Sequence, residues 1–438
     1  MNQQQKLTIE EQITNINRFL RKTYYGKAVK IKRPYELPPD LYSGEVLGPW
    51  PVYIIHSFPC KYFGKGFCTP CFFSLIPSID ADKSVIYQSL LNQCDVILDR
   101  FNELVLSKQT REIPFPQFPS FLNDKPGAIF GFTTTGTFFG RNEAPPEIVI
   151  KLIEKIALYA KRMRVNICIN IETRAEDVLD RYGDGTLNKL ANYLDDITIM
   201  NSIGLESVNE VTRNLIYGKN LNIDDFDQAV KITKQFGMIP NAFVHTGFFS
   251  MTQKELLSDF DDTVTYLYKQ NLSPIVTFPN LCPYTLSHLL YSQGKLKLFD
   301  PRIAVQMIEK LVALNQSFRS QNYHGDPWYI GLGDQEPNPF MNIFDNPQKT
   351  TCARCTKIIY DAIRSIRRNY SYDLFSQLIK PIYSCSCKDN FENEIESEEL
   401  CKTSLHDRIN ASLELAWEKR RDYLGLRQVI EFTENRCQ

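Results

Sequence analysis

The fold class predicted by this sequence is α/β, a parallel sheet built from repeated strand–helix units. Three observations lead there. Six short apolar runs recur at intervals of roughly 35 to 40 residues, with segments of helical period between and after them. The runs are nearly continuous in apolar residues, as strands covered on both faces are. Polar residues and glycines gather where the runs end, at Cys60, Thr135-Gly136-Thr137, Glu172, Glu206 and His245. In strand–helix barrels that edge carries the reaction site, but periodicity does not separate a barrel from an open doubly wound sheet.

The first run is VYIIHSF (52–58), which leads directly into a cysteine-bearing loop. Residues Ser84 to Leu106 follow with helical spacing. AIFGFTTT (128–135) is the second strand, and PPEIVIKLIEKIALYAKRM (145–163) the helix after it. Pro145 and Pro146 open that helix, where a missing N–H costs no intrahelical bond. VNICINIE (165–172) comes third, followed by helical AEDVLDRY and LNKLANYL. The fourth strand, DITIMNSIGLES (196–207), precedes a helix from Ile223 to Phe236 that Gly237 is placed to cap. IPNAFVHTGFF (239–249), a helix over Gln253–Gln270 and SPIVTFPNLC (273–282) complete the series, with a last helix near Ile303–Phe318. YHGDPWYIGLGDQEPNPFMNIFDNPQ (323–348) is rich in Gly, Pro, Asn and Asp and reads as loop. The acidic run DNFENEIESEEL (389–400) reads as a solvated linker or helix face. The expected organisation is an N-terminal helical and basic extension (1–50), a core (51–320), and a small C-terminal loop and helical extension with cysteines (321–438).

Composition bounds the function classes. The formal net charge is -1 and 43% of the residues are hydrophobic, which supports a sizeable core and argues against a dedicated nucleic-acid binder. No apolar run is long enough to span a bilayer, and MNQQQKLTIEEQITNINRFL lacks the apolar stretch of a signal peptide. A cytosolic protein without a membrane partner is expected. Its 12 cysteines are then expected to be reduced, the clustered ones as ligands and Cys94, Cys168 and Cys282 as core.

The densest cluster is CKYFGKGFCTPC (60–71), with Cys60, Cys68 and Cys71. Three thiolates can hold a metal centre that keeps one position open. With His56 they form a candidate Cys3His zinc site. Alternatively they hold three irons of a [4Fe–4S] cluster and leave the fourth iron to bind a small molecule. The cluster is favoured because the triad follows the first strand, where a reaction site is expected. A structural zinc more often knits a small domain, and a histidine inside a strand is more often packed than ligating.

At these residues the chain resembles the radical S-adenosylmethionine enzymes over about residues 50 to 320. The long first gap of the triad, and Pro70 where an aromatic is common, are similar to the archaeosine-synthase radical subunit and the Elp3-like group. FTTTGTFFGRNEAPPEI (132–148), NIETRAEDV (170–178) and IGLESVNEVTRNLI (203–216) resemble further segments of that family. The resemblance implies a partial (β/α)6 barrel of the TIM type and a [4Fe–4S] cluster on Cys60, Cys68 and Cys71. It also implies reductive cleavage of S-adenosyl-L-methionine to a 5′-deoxyadenosyl radical that takes a substrate hydrogen. An external one-electron donor of flavodoxin or ferredoxin type would supply the electron.

By the same resemblance Thr135, Gly136 and Thr137 offer backbone and hydroxyl groups to the methionine amino group. An ordinary strand-to-helix turn is the rival reading. Glu172 and Arg174 are a ribose or amino acceptor and a carboxylate clamp, against a surface ion pair. Glu206 is a buried carboxylate needing a partner or a task, against a helix cap with Ser207. Arg213 is a weaker candidate. His245 and Thr246 face substrate as the catalytic candidates, against a packed core histidine. HTGFF (245–249) departs from the lysine and prolines of the archaeosine-type relatives, and FFSLIPS (72–78) lacks their glycine-tyrosine. Both departures fall where substrate identity is set.

Cys352-x2-Cys355 and Cys385-x-Cys387 form a second constellation, for zinc or an auxiliary cluster, although Cys-x-Cys is tight for one tetrahedral ion. RFLRKTYYGKAVKIKR (18–33) and EKRRDYLGLR (418–427) interleave basic and aromatic residues, as a tRNA contact would or a solvated helix face would. Two function classes result. One is a radical enzyme, lyase or transferase, acting on a modified 7-deazaguanine in tRNA after a partner modification enzyme, or on a small-molecule precursor. The other is a non-catalytic zinc scaffold.

Overall fold

The computed structural model describes residues 8–22, 40–42, 52–55, 57, 60–69, 82–106, 127–134, 136–141, 143–247, 250–279, 281, 285–319, 329–331, 343–344, 349–369, 372–399 and 403–425. His56, Cys71, Thr135 and Cys282 lie outside the described residues, as does most of the N-terminal basic stretch beyond Lys22.

Among the described residues eight strands form one sheet in chain order, β1-β2-β3-β4-β5-β6-β7-β8. The strands are β1 (Asp40–Tyr42), β2 (Val52–Ile55), β3 (Gly127–Thr134), β4 (Asn166–Thr173), β5 (Ile197–Gly204), β6 (Ile239–His245), β7 (Ser273–Thr277) and β8 (Tyr329–Gly331). β1 is antiparallel to β2, and every later pairing is parallel. A doubly wound sheet reverses its strand order at a switch point; this one does not, so every crossover runs in the same direction.

The helices are α1 (Ile9–Lys22), α2 (Lys61–Gly64), α3 (Lys83–Leu106), α4 (Pro146–Met163), α5 (Ala175–Gly183), α6 (Thr186–Leu190), α7 (Ile223–Gln235), α8 (Gln253–Lys269), α9 (Leu286–Ser292), α10 (Pro301–Arg319), α11 (Ala353–Asn369), α12 (Tyr372–Tyr383), α13 (Cys387–Glu399) and α14 (Leu405–Gly425). Local chemistry sets their ends. α4 starts on the paired prolines and buries Ile148, Val149, Leu152, Ile153 and Ile156 on one face. α7 starts on Asn222, which accepts from the Asp224 N–H, and the chain leaves it through Gly237 in the left-handed region. α8 has a capping box of Thr252 and Glu255.

Strands β4 and β5 are buried almost throughout; α4 packs against both and α7 against β5. β7 ends at Thr277, two residues before Pro279, whereas the apolar pattern continues to residue 282; proline has no N–H for the ladder. The stretch read as loop beyond residue 322 contributes β8, paired with β7. Three residues among Gly, Pro and Asp carry too little periodicity to reveal a strand. The acidic run at 389–400 lies mostly in α13. No helix among the described residues is long and apolar enough to cross a membrane.

Candidate functional site

The polar residues converge where β2 to β6 end. Cys60 leaves β2 and is half-buried. Gly136, just past β3, lies against it: a Cβ there would sit 2.7 Å from the Cys60 Cβ and 2.7 Å from Glu143 Oε1. Glu143 is fully buried, and neither of its oxygens meets a hydrogen-bond donor among the described residues. Burial, then the Asp177 charge, pushes its carboxyl up to about 7, against a lowering influence from the Cys60 thiol. Glu143 has no signal of its own in the sequence; the acid in the first turn of α4 is Glu147.

The loop carrying Cys60 and Cys68 is gripped from three directions. From α5, Asp177 accepts from Lys61 Nζ (2.8 Å) and Tyr62 OH (3.4 Å). From α1, Arg18 Nε donates to Lys65 O (3.0 Å) and Asn17 Nδ2 to Gly66 O (3.0 Å). Arg21 donates to Phe67 O (2.8 Å) and Cys68 O (2.9 Å), so α1 covers four consecutive carbonyls. From the turn beyond β5, Gly218 O and Tyr217 O accept from the Cys68 and Thr69 N–H groups, each at 2.9 Å. Gly66 (φ +85) must be glycine twice over, for its backbone region and because a Cβ would come within 2.5 Å of Thr14 O. Cys68 adopts φ 56 without that freedom, a strained conformation held by these bonds.

Arg174 is the hub. Its Nη1 donates to Cys68 Sγ (3.2 Å), and its Nη2 to Glu176 (2.7 Å) and Lys219 O (2.5 Å). The guanidinium stacks on Tyr62 at 3.9 Å. Burial alone would weaken its charge, but the Cys68 sulfur and Glu176 more than offset this and strengthen it. The guanidinium expected to clamp a carboxylate is therefore engaged by the cysteine loop. The Thr137 hydroxyl accepts from Arg174 N (3.1 Å), as a strand-to-helix turn residue does.

The second group sits on β4, β5 and β6. Glu206, at φ 69, receives Lys219 Nζ at 2.5 Å. Gly204 makes room, since a Cβ there would collide with Lys219 Nζ. Burial, then Glu206, holds the Glu172 carboxyl at about 7, with Lys219 acting the other way. The His245 ring stacks on Tyr217 with centroids 5.6 Å apart, and burial lowers its pKa below the ordinary imidazole value, against the raising influence of Glu206. Thr246 is buried and donates through both N and Oγ1 to Thr277 O, closing β6 onto β7. Arg213 donates to the carbonyls of Ser207, Val208 and Leu221, which makes it a brace of the β5 loop. Ser207 accepts from Asn209 N and donates to Asp259, so the cap expected there leaves Glu206 to Lys219. Lys219 itself has no periodic signal in the sequence.

The C-terminal cysteines also meet. The sulfurs of Cys352, Cys355, Cys385 and Cys387 all lie within 4.8 Å of one another. Arg302 of α10 donates to Cys387 Sγ at 3.1 Å. Although burial opposes it, donors from the Cys352 backbone and Arg302 bring the Cys387 thiol down to about 6, while burial pushes Cys355 up. In the basic stretches, Arg18 and Arg21 face the cysteine loop, and Arg420 stacks on Trp417 and Phe19.

No known protein-family description matches the chain. An uncharacterised protein of Methanocaldococcus jannaschii is 22% identical over 247 residues, 56% of this chain and 59% of that protein. The chain thus spans less than two thirds of that relative. Solved structures that align with it include the radical S-adenosylmethionine methyltransferase TsrM of Kitasatospora setae, at 11% identity and a TM-score of 0.32, covering 59% of this chain and 41% of that one. Elp3 of Methanocaldococcus infernus aligns at 12% and 0.36, covering 59% and 53%. Methylornithine synthase aligns at 12% and 0.33, covering 88% and 91%.

Proposed function

We propose that the chain is a radical S-adenosylmethionine enzyme whose [4Fe–4S] cluster is held by Cys60, Cys68 and Cys71. The observation that carries the reading is the position of Cys60 and Cys68. Their loop leaves β2 at the C-terminal edge of a sheet wound in chain order, beside the ends of β3, β4 and β5. We read that sheet as the partial barrel of the family. The donor set suits a thiolate-held group: Arg174 offers Cys68 a charged donor, and Gly136 keeps the space beside Cys60 clear. When bound, the cluster would pass one electron, received from an external donor, to the sulfonium of S-adenosyl-L-methionine.

The chain's own residues bind and orient. Glu172 and Glu206 offer carboxylates to ribose hydroxyls or an amino group, and Lys219, beside Glu206, offers a cation to a carboxylate. His245, whose pKa burial lowers, is the substrate-facing candidate. The resemblance supports a modified 7-deazaguanine in tRNA as substrate, with carbon–nitrogen cleavage. A small-molecule precursor is the second reading, favoured because buried Arg21 is committed to carbonyls of the cysteine loop and exposed Arg18 also donates to one of them.

Anaerobic reconstitution with iron and sulfide tests the reading. The expected result is a brown protein that releases 5′-deoxyadenosine from S-adenosyl-L-methionine under dithionite, and a Cys68→Ala variant that does not. Stoichiometric zinc at the triad with no iron would establish the non-catalytic scaffold instead.

A further inference from the structure

We infer that Cys352, Cys355, Cys385 and Cys387 form a closed tetrathiolate site for one zinc ion, which fastens the C-terminal helices to the start of α10. This site is independent of the cysteine loop after β2. Cys352 and Cys355 flank the start of α11, while Cys385 stands in the turn between α12 and α13 and Cys387 opens α13. The Cys352 and Cys385 sulfurs are 3.8 Å apart, and those of Cys385 and Cys387 are 3.5 Å apart. A tetrahedron with Zn–S bonds of about 2.3 Å has edges of about 3.8 Å, so one ion bonds all four with small adjustments. The short Cys-x-Cys step is no obstacle, because the turn before α13 aims both thiols at the same point. A disulfide needs about 2.05 Å and would use only two of the four. A four-iron cube spreads its four thiolates over separate corners, further apart than this cluster holds them. Four soft donors with no fifth position suit a structural zinc rather than a catalytic one.

The surroundings are built for that charge. One zinc and four thiolates carry a net charge of 2−. Arg302 is buried, and its Nη2 donates to both Cys387 Sγ (3.1 Å) and Ile382 O (2.9 Å). Two residues earlier, Asp300 accepts from the Thr350 N–H (2.9 Å) and the Thr351 N–H (2.8 Å), immediately before Cys352. Asp300 thus delivers one cysteine pair, and Arg302 steadies the other.

Metal analysis of the full chain carrying Cys60→Ala, Cys68→Ala and Cys71→Ala separates this site from the proposed cluster. The expected result is about one zinc per chain and no iron. Cobalt grown in its place should give the visible spectrum of a tetrahedral thiolate complex. Cys387→Ser should lose the zinc, and Arg302→Gln should bind it roughly 10- to 100-fold more weakly. If Cys387→Ser does not fold, the less buried Cys352→Ser serves the same purpose. Iron with sulfide in the triple variant would make this an auxiliary cluster site, and absence of any metal would leave four packed thiols. Either result overturns the inference. Loss of cluster chemistry in the wild type with zinc retained would overturn only the radical-enzyme reading.

Discussion

Single residues at this site act through what they exclude and what they charge. Gly136 excludes a side chain from the contact of Cys60 with Glu143. Gly136→Ala should displace Cys60 and lower iron loading several-fold while leaving the zinc of the C-terminal cysteines in place; equal loading of both metals would refute it. Glu172 charges a crowded group. Its carboxyl is raised from 4.5 to about 7 by burial and by Glu206. Between those values the native state holds a proton that the unfolded chain has released. The stability tied to this group is therefore complete below the unfolded value and falls as pH rises through about 7. In urea titrations from pH 5 to 8, Glu172→Gln should lose stability less steeply with pH than the wild type, and parallel profiles would sink the assignment. Of the residues gathered here, the sequence showed those at strand ends (Cys60, Gly136, Glu172, Glu206, His245), because they interrupt apolar runs. It hid Glu143, Arg21 and Lys219, whose roles come only from contacts between distant segments.

At the scale of elements, α1 is the least expected participant. Its sequence reads as a basic extension, yet Asn17, Arg18 and Arg21 point at the carbonyls of residues 65–68. Arg21→Ala would strand two loop carbonyls at a cost of about 1–3 kcal/mol. Hydrogen exchange should then quicken at the Cys68 and Thr69 amides, which Gly218 and Tyr217 now hold. Unchanged protection there would show that α1 merely packs beside the loop. The six longer parallel strands were legible because each carries several apolar residues between turn signals. β1 and β8, three residues each, were not, since their place in the sheet is decided by the neighbour they pair with.

Across the whole molecule, distant parts of the chain converge on the loop. α14 packs on α1 and α9, with Ile409, Leu413 and Ala416 buried in the same core as Ile13, Ile16 and Leu20. Removing residues 403–438 should expose that apolar face, lower the thermal midpoint and loosen the Cys60–Cys68 loop through α1. A truncated protein with the full midpoint and unaltered exchange in α1 would contradict this chain of support. The order of the sheet has a different consequence, for how the protein is made. Every strand from β2 onward docks on the one synthesised just before it, so the sheet can grow outward as the chain leaves the ribosome. The grip of α14 on α1 is what must wait for residues 405–425 to emerge.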